Sequence, residues 1–157
     1  MLSLVPVVVS DKFFFIDISY VKEIITKKEF FLIPKVPDFT VGVVNIRGEI
    51  IPAFNLSSLL FGSKSYLFKE RFIDYLVLVY VDNKKMGFVV DKIGKVVYVD
   101  ESNIKGYTEN IWKDVRFLKF FVEVSEPKVL GGVLDIEGIL KYIDKANKDL
   151  YKVGGKL

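Results

Sequence analysis

The sequence predicts a mainly β protein of the sandwich or barrel class. Apolar runs rich in Val, Ile, Phe and Tyr recur roughly every 8–12 residues, with Gly, Pro, Asn, Asp and Ser between them, as in a meander of short strands. Two of those runs contain proline, Pro6 and Pro52, which a helix interior does not tolerate. Helical spacing appears only in brief stretches. At 157 residues the chain fits one compact domain, or two very small units sharing a core.

Leu2 to Val9 and Phe13 to Ile18 read as a hairpin across the polar break Ser10-Asp11-Lys12. Pro6 has no N–H to give to a ladder, so it places the first run at an edge or a bulge. From Ser19 to Phe30 the period changes. Val21, Ile24 and Ile25 fall at i, i+3 and i+4 among Lys22, Glu23, Lys27 and Lys28, which predicts one or two helical turns with Ser19 as N-cap. Pro34 and Pro37 then impose extended backbone. Val41 to Ile46 and Ile50 to Phe54 are two strands around Arg47-Gly48-Glu49, where Gly48 supplies the positive φ that the turn needs. Pro52 again marks an edge or a bulge.

Leu56 to Phe61 forms a short turn or helix ended by Gly62-Ser63, and Lys64 to Arg71 is a polar connection. Ile73 to Val81 is the clearest strand. The chain turns at Asp82-Asn83-Lys84-Lys85 and returns through Met86 to Val90 and Val96 to Val99. Residues 100–127 fit two patterns: Ile111, Trp112, Val115 and Leu118 share a helical face, whereas Phe117, Phe120, Phe121 and Val122 suit a strand, and the region is left unassigned. Val129 to Ile136 is a strand, Glu137-Gly138 a hairpin turn, and Ile139 to Ile143 its partner. Ile139, Ile143, Ala146 and Leu150 are also helically spaced, so periodicity does not fix where strand gives way to helix. Asp144 is the expected N-cap of a terminal helix over Lys145 to Tyr151.

Composition narrows the chemistry. Cysteine is absent, which excludes disulfides, thiolate metal sites and a cysteine nucleophile; histidine is absent too, which removes the commonest general base and any phosphohistidine relay. The net charge of +3 comes from 23 basic and 20 acidic residues scattered along the chain, not clustered as a phosphate-binding face requires. The longest apolar run, Leu76 to Val81, falls well short of the roughly 18 to 20 residues that cross a bilayer. The N-terminal MLSLVPVVVS has no basic region and no cleavage site, so it reads as a first strand of a cytoplasmic protein.

Few constellations carry chemistry. Asp17, Asp74, Asp91, Asp100, Asp135 and Asp144 end or interrupt strands and show neither a D-x-D-x-D loop nor a paired-carboxylate spacing, so turn and cap roles are expected and no metal or catalytic residue is assigned. No glycine pattern makes a phosphate loop. Phe13, Phe14 and Phe15 are consecutive, so they alternate between faces and cannot form one stacking platform. Arg47 at a hairpin tip is a long cation easily presented to a partner, although an isolated Arg-Gly-Glu is by itself an ordinary solvated turn.

The stretch Val36 to Leu56, VPDFTVGVVNIRGEIIPAFNL, resembles the signature of CheW-type chemotaxis coupling proteins: a Pro-led approach, Gly-Val-x-Asn-Leu-Arg-Gly, an apolar run with Pro, and Asp-Leu. The matching positions are Pro37, Gly42, Val43, Asn45, Ile46, Arg47, Gly48, Pro52 and Leu56. FFFIDISYVKEI, MGFVVDKIGKV and VLGGVLDIEGILKYIDKANKDL resemble other segments of that family, so the likeness covers nearly the whole chain and is weakest over residues 100–127.

The resemblance implies a single domain over residues 1–157, made of two small five-stranded Src-homology-3-like barrels around a shared core. A short helix would follow the early hairpin and a second would close the chain. It implies no catalysis and no cofactor. It implies an adaptor, associated with membrane receptor arrays but not inserted in the membrane, that couples chemoreceptors to the histidine autokinase CheA. Its partners would be the receptors' cytoplasmic tip, the kinase's regulatory domain, and other CheW-like domains in rings. By the same likeness, Val21, Glu23, Arg47 and Gly87 would line a receptor-binding groove, with Asn45, Gly48 and Glu49 shaping the hairpin. Here Asn55-Leu56-Ser57 stands where the family has Asp-Leu-Arg, and Glu49 where an apolar residue is common. The alternative from a different class is a small basic β-barrel that binds single-stranded nucleic acid.

Overall fold

The computed structural model describes residues 1–62, 71–107, 112, 114–125 and 128–154. Twelve strands and two α-helices are described, arranged as two curled sheets. β1 (Leu2–Val9) and β2 (Lys12–Asp17) form the first hairpin, joined at Ser10 and Asp11, which both take positive φ. The chain then leaves for the other sheet. β3 (Val21–Glu29), β4 (Thr40–Ile46), β5 (Glu49–Asn55), β6 (Phe72–Val81) and β7 (Lys84–Val89) run in the spatial order β3-β6-β7-β5-β4. β8 (Lys92–Ile93) and β9 (Val97–Val99) return to β1. β10 (Ile104–Tyr107), β11 (Leu118–Ser125) and β12 (Lys128–Leu134) complete the first sheet beside β2.

The second sheet curls until its edge strands meet. Phe31, just beyond β3, exchanges two backbone hydrogen bonds with Val43 of β4, at 2.8 and 2.9 Å. This closes a five-stranded barrel, here called barrel 2. The curled first sheet is barrel 1.

Three apolar clusters follow from strand alternation. Leu4, Phe15, Val99, Val122 and Val133 fill barrel 1. Val44, Ile51, Ala53, Ile73, Leu76 and Leu78 are among those that fill barrel 2. The largest cluster lies between them. β6 shows why its sequence is continuously apolar: Leu76 and Leu78 point into barrel 2, while Val77 and Val79 point into the shared core. β2 does the same, with Phe14 in the shared core and Phe15 in barrel 1.

The prolines sit where a ladder has no use for an N–H. Pro6 pairs with Phe15 on one side and on the other lies between the segments paired to β8 and to β9. Pro52 precedes Ala53, where the parallel pairing of β5 with β7 begins.

Two expectations for helices are corrected. Residues 19–30 form no α-helix. A single 3-10 turn, Ile18–Tyr20, is capped by Asp17, whose carboxylate accepts the Ser19 N–H, and Val21–Glu29 is strand β3, paired with β6 along its length. The i, i+3, i+4 spacing was real, but the ladder offered by β6 outweighs a propensity worth only tenths of a kcal/mol per residue.

At the other end there is no strand over Ile139 to Ile143. A helix, α2 (Ile136–Gly154), starts directly after β12. Its cap is Asp135, which accepts the Gly138 N–H at 3.0 Å, and Glu137-Gly138 lie in its first turn. Ile136, Ile139, Leu140 and Ile143 are buried in the shared core, which is the helical spacing resolved. Asp144 sits within the helix and pairs with Lys84 at 2.9 Å.

The first helix is as expected: α1 (Leu56–Phe61) ends at Gly62, whose φ of 71° is left-handed. In the unassigned region, β10 and β11 supply strands. Trp112 and Val115 pack against the shared core outside any helix, and Ile111 lies outside the described residues. So does most of the polar connection, at 63–70.

Candidate functional site

The candidate site is the mouth of barrel 2, and it is built by the β4–β5 hairpin. Arg47 and Gly48, at φ 51° and 86°, form a two-residue turn of the type whose twist matches antiparallel strands. Glu49 is already in β5, opposite Ile46. The Asn45 carboxamide oxygen accepts the Gly48 N–H at 2.8 Å, which fixes the turn and explains an asparagine three residues before the glycine.

The turn aims Arg47 across the opening toward β3. Its two terminal nitrogens donate to the two Glu23 oxygens, at 2.6 and 3.2 Å, in a bidentate pair. The side chains are 69% and 34% exposed, so the pair is presented at the surface. The hydrogen bond from Arg47 holds the Glu23 carboxyl below its ordinary range, and the same bond raises Arg47.

Beside Arg47 lies a cavity of about 200 Å³ with an apolar floor of Ile46, Ile51 and Leu78 and a rim that includes Lys22, Glu49 and Lys85. Lys85 bonds Glu49 at 3.0 Å. The mouth is thus a mixed-charge ring over an apolar floor, next to exposed Ile24 and Ile50. Such a surface offers charge pairing and apolar contact to a protein partner. Sequence reading missed Lys85 as a member. Its meeting with Glu49 depends on the parallel pairing of β5 with β7, which no local pattern announces.

The four residues expected at the groove do not all stand together. Glu23 and Arg47 touch. Val21 lies two positions before Glu23, half-buried against the shared core. Gly87 is buried in β7, paired with Leu78 and Ala53, and its missing Cβ faces Leu76, whose Cδ1 would be 2.7 Å away. The close approach that Gly87 permits is therefore internal.

Asn55 is 5% exposed and caps α1, accepting the Ser58 N–H at 3.4 Å. The aspartates have similar local duties: Asp17 and Asp100 cap 3-10 turns, Asp135 caps α2, and Asp91 accepts the Ser10 N–H.

Two small barrels about a shared core, with an exposed ion pair at one mouth, define a double-barrel β domain carrying a charged surface cleft. The chain belongs to the CheW-like domain family, whose model matches residues 3–144. It is 29% identical over 103 residues to the "Chemotaxis protein CheW" of Treponema pallidum, covering 65% of this chain and 61% of that protein. To the protein of the same name from Thermotoga maritima it is 28% identical over 56% of each chain. It thus spans about three fifths of the length of these relatives. The fold is similar to that of the scaffolding protein TtCheW from Thermoanaerobacter tengcongensis, with a TM-score of 0.71 over 85% of this chain and 88% of that one at 23% identity. The two-barrel architecture expected from the resemblance is the one observed, with seven strands in the first sheet where five were expected.

Proposed function

We propose that residues 1–157 act as one CheW-like adaptor domain, without catalytic activity or cofactor, that couples the cytoplasmic tip of chemoreceptors to the regulatory domain of the autokinase CheA. Family membership supports a chemotaxis scaffold. The observation that carries the receptor contact is the exposed Arg47–Glu23 pair beside an apolar floor. A receptor tip is a helical hairpin with charged and apolar stripes. Glu23 and Arg47 meet the charges, while Val21 and its neighbour Ile24 meet the apolar stripe. Asn45, Gly48 and Glu49 hold the hairpin in place, and Gly87 shapes the barrel from within. Work of this kind belongs in the cytoplasm beside the membrane; no described helix is long and apolar enough to cross one. Other CheW-like domains are further partners in rings.

Purified protein mixed with a receptor signalling fragment and with a kinase regulatory domain tests this. Co-sedimentation with both is the expected result, and binding to neither overturns it. Arg47→Glu weakens the receptor arm and spares the kinase arm.

A further inference from the structure

We propose that barrel 1 carries a second docking site, a slot that accepts one extended strand from another protein. The slot lies on the other barrel from the Glu23–Arg47 pair and does not depend on the role given to that pair.

The backbone of β1 determines which way β9 faces. The Pro6 carbonyl accepts the Gly94 N–H, and the Val8 carbonyl accepts that of Asp91, so even-numbered residues of β1 face the β8–β9 side. Leu4 and Leu2 therefore bond Val97 and Val99, and the intervening pair, Ser3 with Tyr98, turns its polar groups away from the ladder. The Tyr98 N–H and C=O thus point outward, with no partner among the described residues. The Tyr98 ring is 70% exposed.

Facing this edge is the end of β11. β10 pairs with β11 only as far as Val122, so Glu123, Val124 and Ser125 are paired with β12 on one side and with no described strand on the other. A cleft of about 420 Å³ separates the two edges. Free facing edges are templates for strand addition.

Beneath the cleft the inward-facing apolar row of barrel 1 continues past its core. Phe13, Ile93, Val97, Val124 and Val129 line an adjoining cavity of about 620 Å³. It gives alternate side chains of an added strand a place to bury. Lys92 and Lys95 stand on its rim and enter no ion pair among the described residues, while Asp11 is the one acidic group there. The occupant these features select is an extended partner segment with apolar residues at alternate positions and carboxylates at one end.

The probe is a fluorescein-labelled octapeptide alternating valine and threonine and ending in two glutamates, followed by fluorescence anisotropy against the full chain. Saturable binding is expected. It weakens at least about tenfold with Tyr98→Pro, which removes the outward N–H together with the exposed ring, but not with Tyr98→Ala, which removes the ring alone, and it weakens likewise with Val124→Asp. The surface pair Lys92→Glu/Lys95→Glu weakens it similarly without touching the core, so the loss is separable from misfolding. A proline-interrupted peptide binds at least about tenfold more weakly. The proposal is overturned by absent saturation, by affinity unchanged in Tyr98→Pro, or by a dimer of the chain alone that Tyr98→Pro dissociates, which would give the slot to a second copy.

Discussion

Arg47 grips Glu23 through both of its terminal nitrogens, across the mouth of barrel 2, from a turn in which Arg47 itself takes left-handed backbone. A long side chain in that conformation is costly for an L residue, so the turn presents the guanidinium at some expense to local stability. Both groups are exposed, so the pair contributes little to folding and remains available for exchange with a partner's charges.

The Glu23 carboxyl will titrate below the ordinary glutamate range in a carbon-detected NMR titration, because Arg47 stabilises its charged form. The folded value lies below the unfolded one. The pair's contribution is therefore present above the unfolded value and fades as pH falls through the folded value. Arg47→Ala moves the Glu23 midpoint back up and shifts the melting temperature by less than about 4 °C. An unshifted Glu23 in the native chain, or a much larger fall in melting temperature, contradicts the exposed-pair reading.

Gly87 tests whether a residue matched by family likeness acts at the surface or inside. A Cβ there meets Leu76, which is fully buried in the barrel 2 core. Gly87→Ala should lower stability by about 1–3 kcal/mol in urea unfolding, through overpacking. Pairing it with Leu76→Val should recover part of the loss. If Gly87→Ala left stability intact and abolished partner binding, the glycine would belong to the binding surface.

Asn55 departs from the family's aspartate, yet the position is a buried helix cap, not a surface charge. Asn55→Ala leaves the Ser58 N–H unsatisfied in the interior and should cost about 1–2 kcal/mol. The expected signature in urea unfolding is a lower midpoint with an unchanged slope. Binding to kinase and receptor fragments should be unaffected at temperatures where the variant is folded.

Much of the fold was legible because strand alternation is local. The Phe13–Phe15 run predicted opposite faces, and two of those side chains do fill two different cores. The Arg47–Gly48 turn and the α1 stop at Gly62 were written in turn chemistry. What failed was the competition between local spacing and distant pairing. Val21, Ile24 and Ile25 read as a helical stripe, but the ladder of β6 lies some fifty residues away in sequence and outweighs it. Asp144 was expected to cap the terminal helix in place of Asp135, because β12 runs into α2 without a loop. Of the site, Arg47 and Glu23 were found through family likeness, whereas their contact needs the barrel to curl.

That curl rests on Gly42. A Cβ at Gly42 would collide with the Phe31 carbonyl, one of the two groups that close the sheet onto itself. Gly42→Ala must push Phe31 away and break one or both bonds to Val43. The combined overpacking and lost hydrogen bonding should cost roughly 2 kcal/mol or more. The effect should also be spatially specific. Hydrogen exchange of the Phe31 and Val43 amides should accelerate more than that of Val77 or Val79, which lie in the ladder between the shared core and barrel 2. With the seam loosened, β3 and β4 separate and the Glu23–Arg47 distance becomes variable, so the Glu23 carboxyl should titrate closer to its ordinary value. Equal acceleration at all four amides would mean that the variant simply unfolds more often, and that the bridge does not close the barrel on its own.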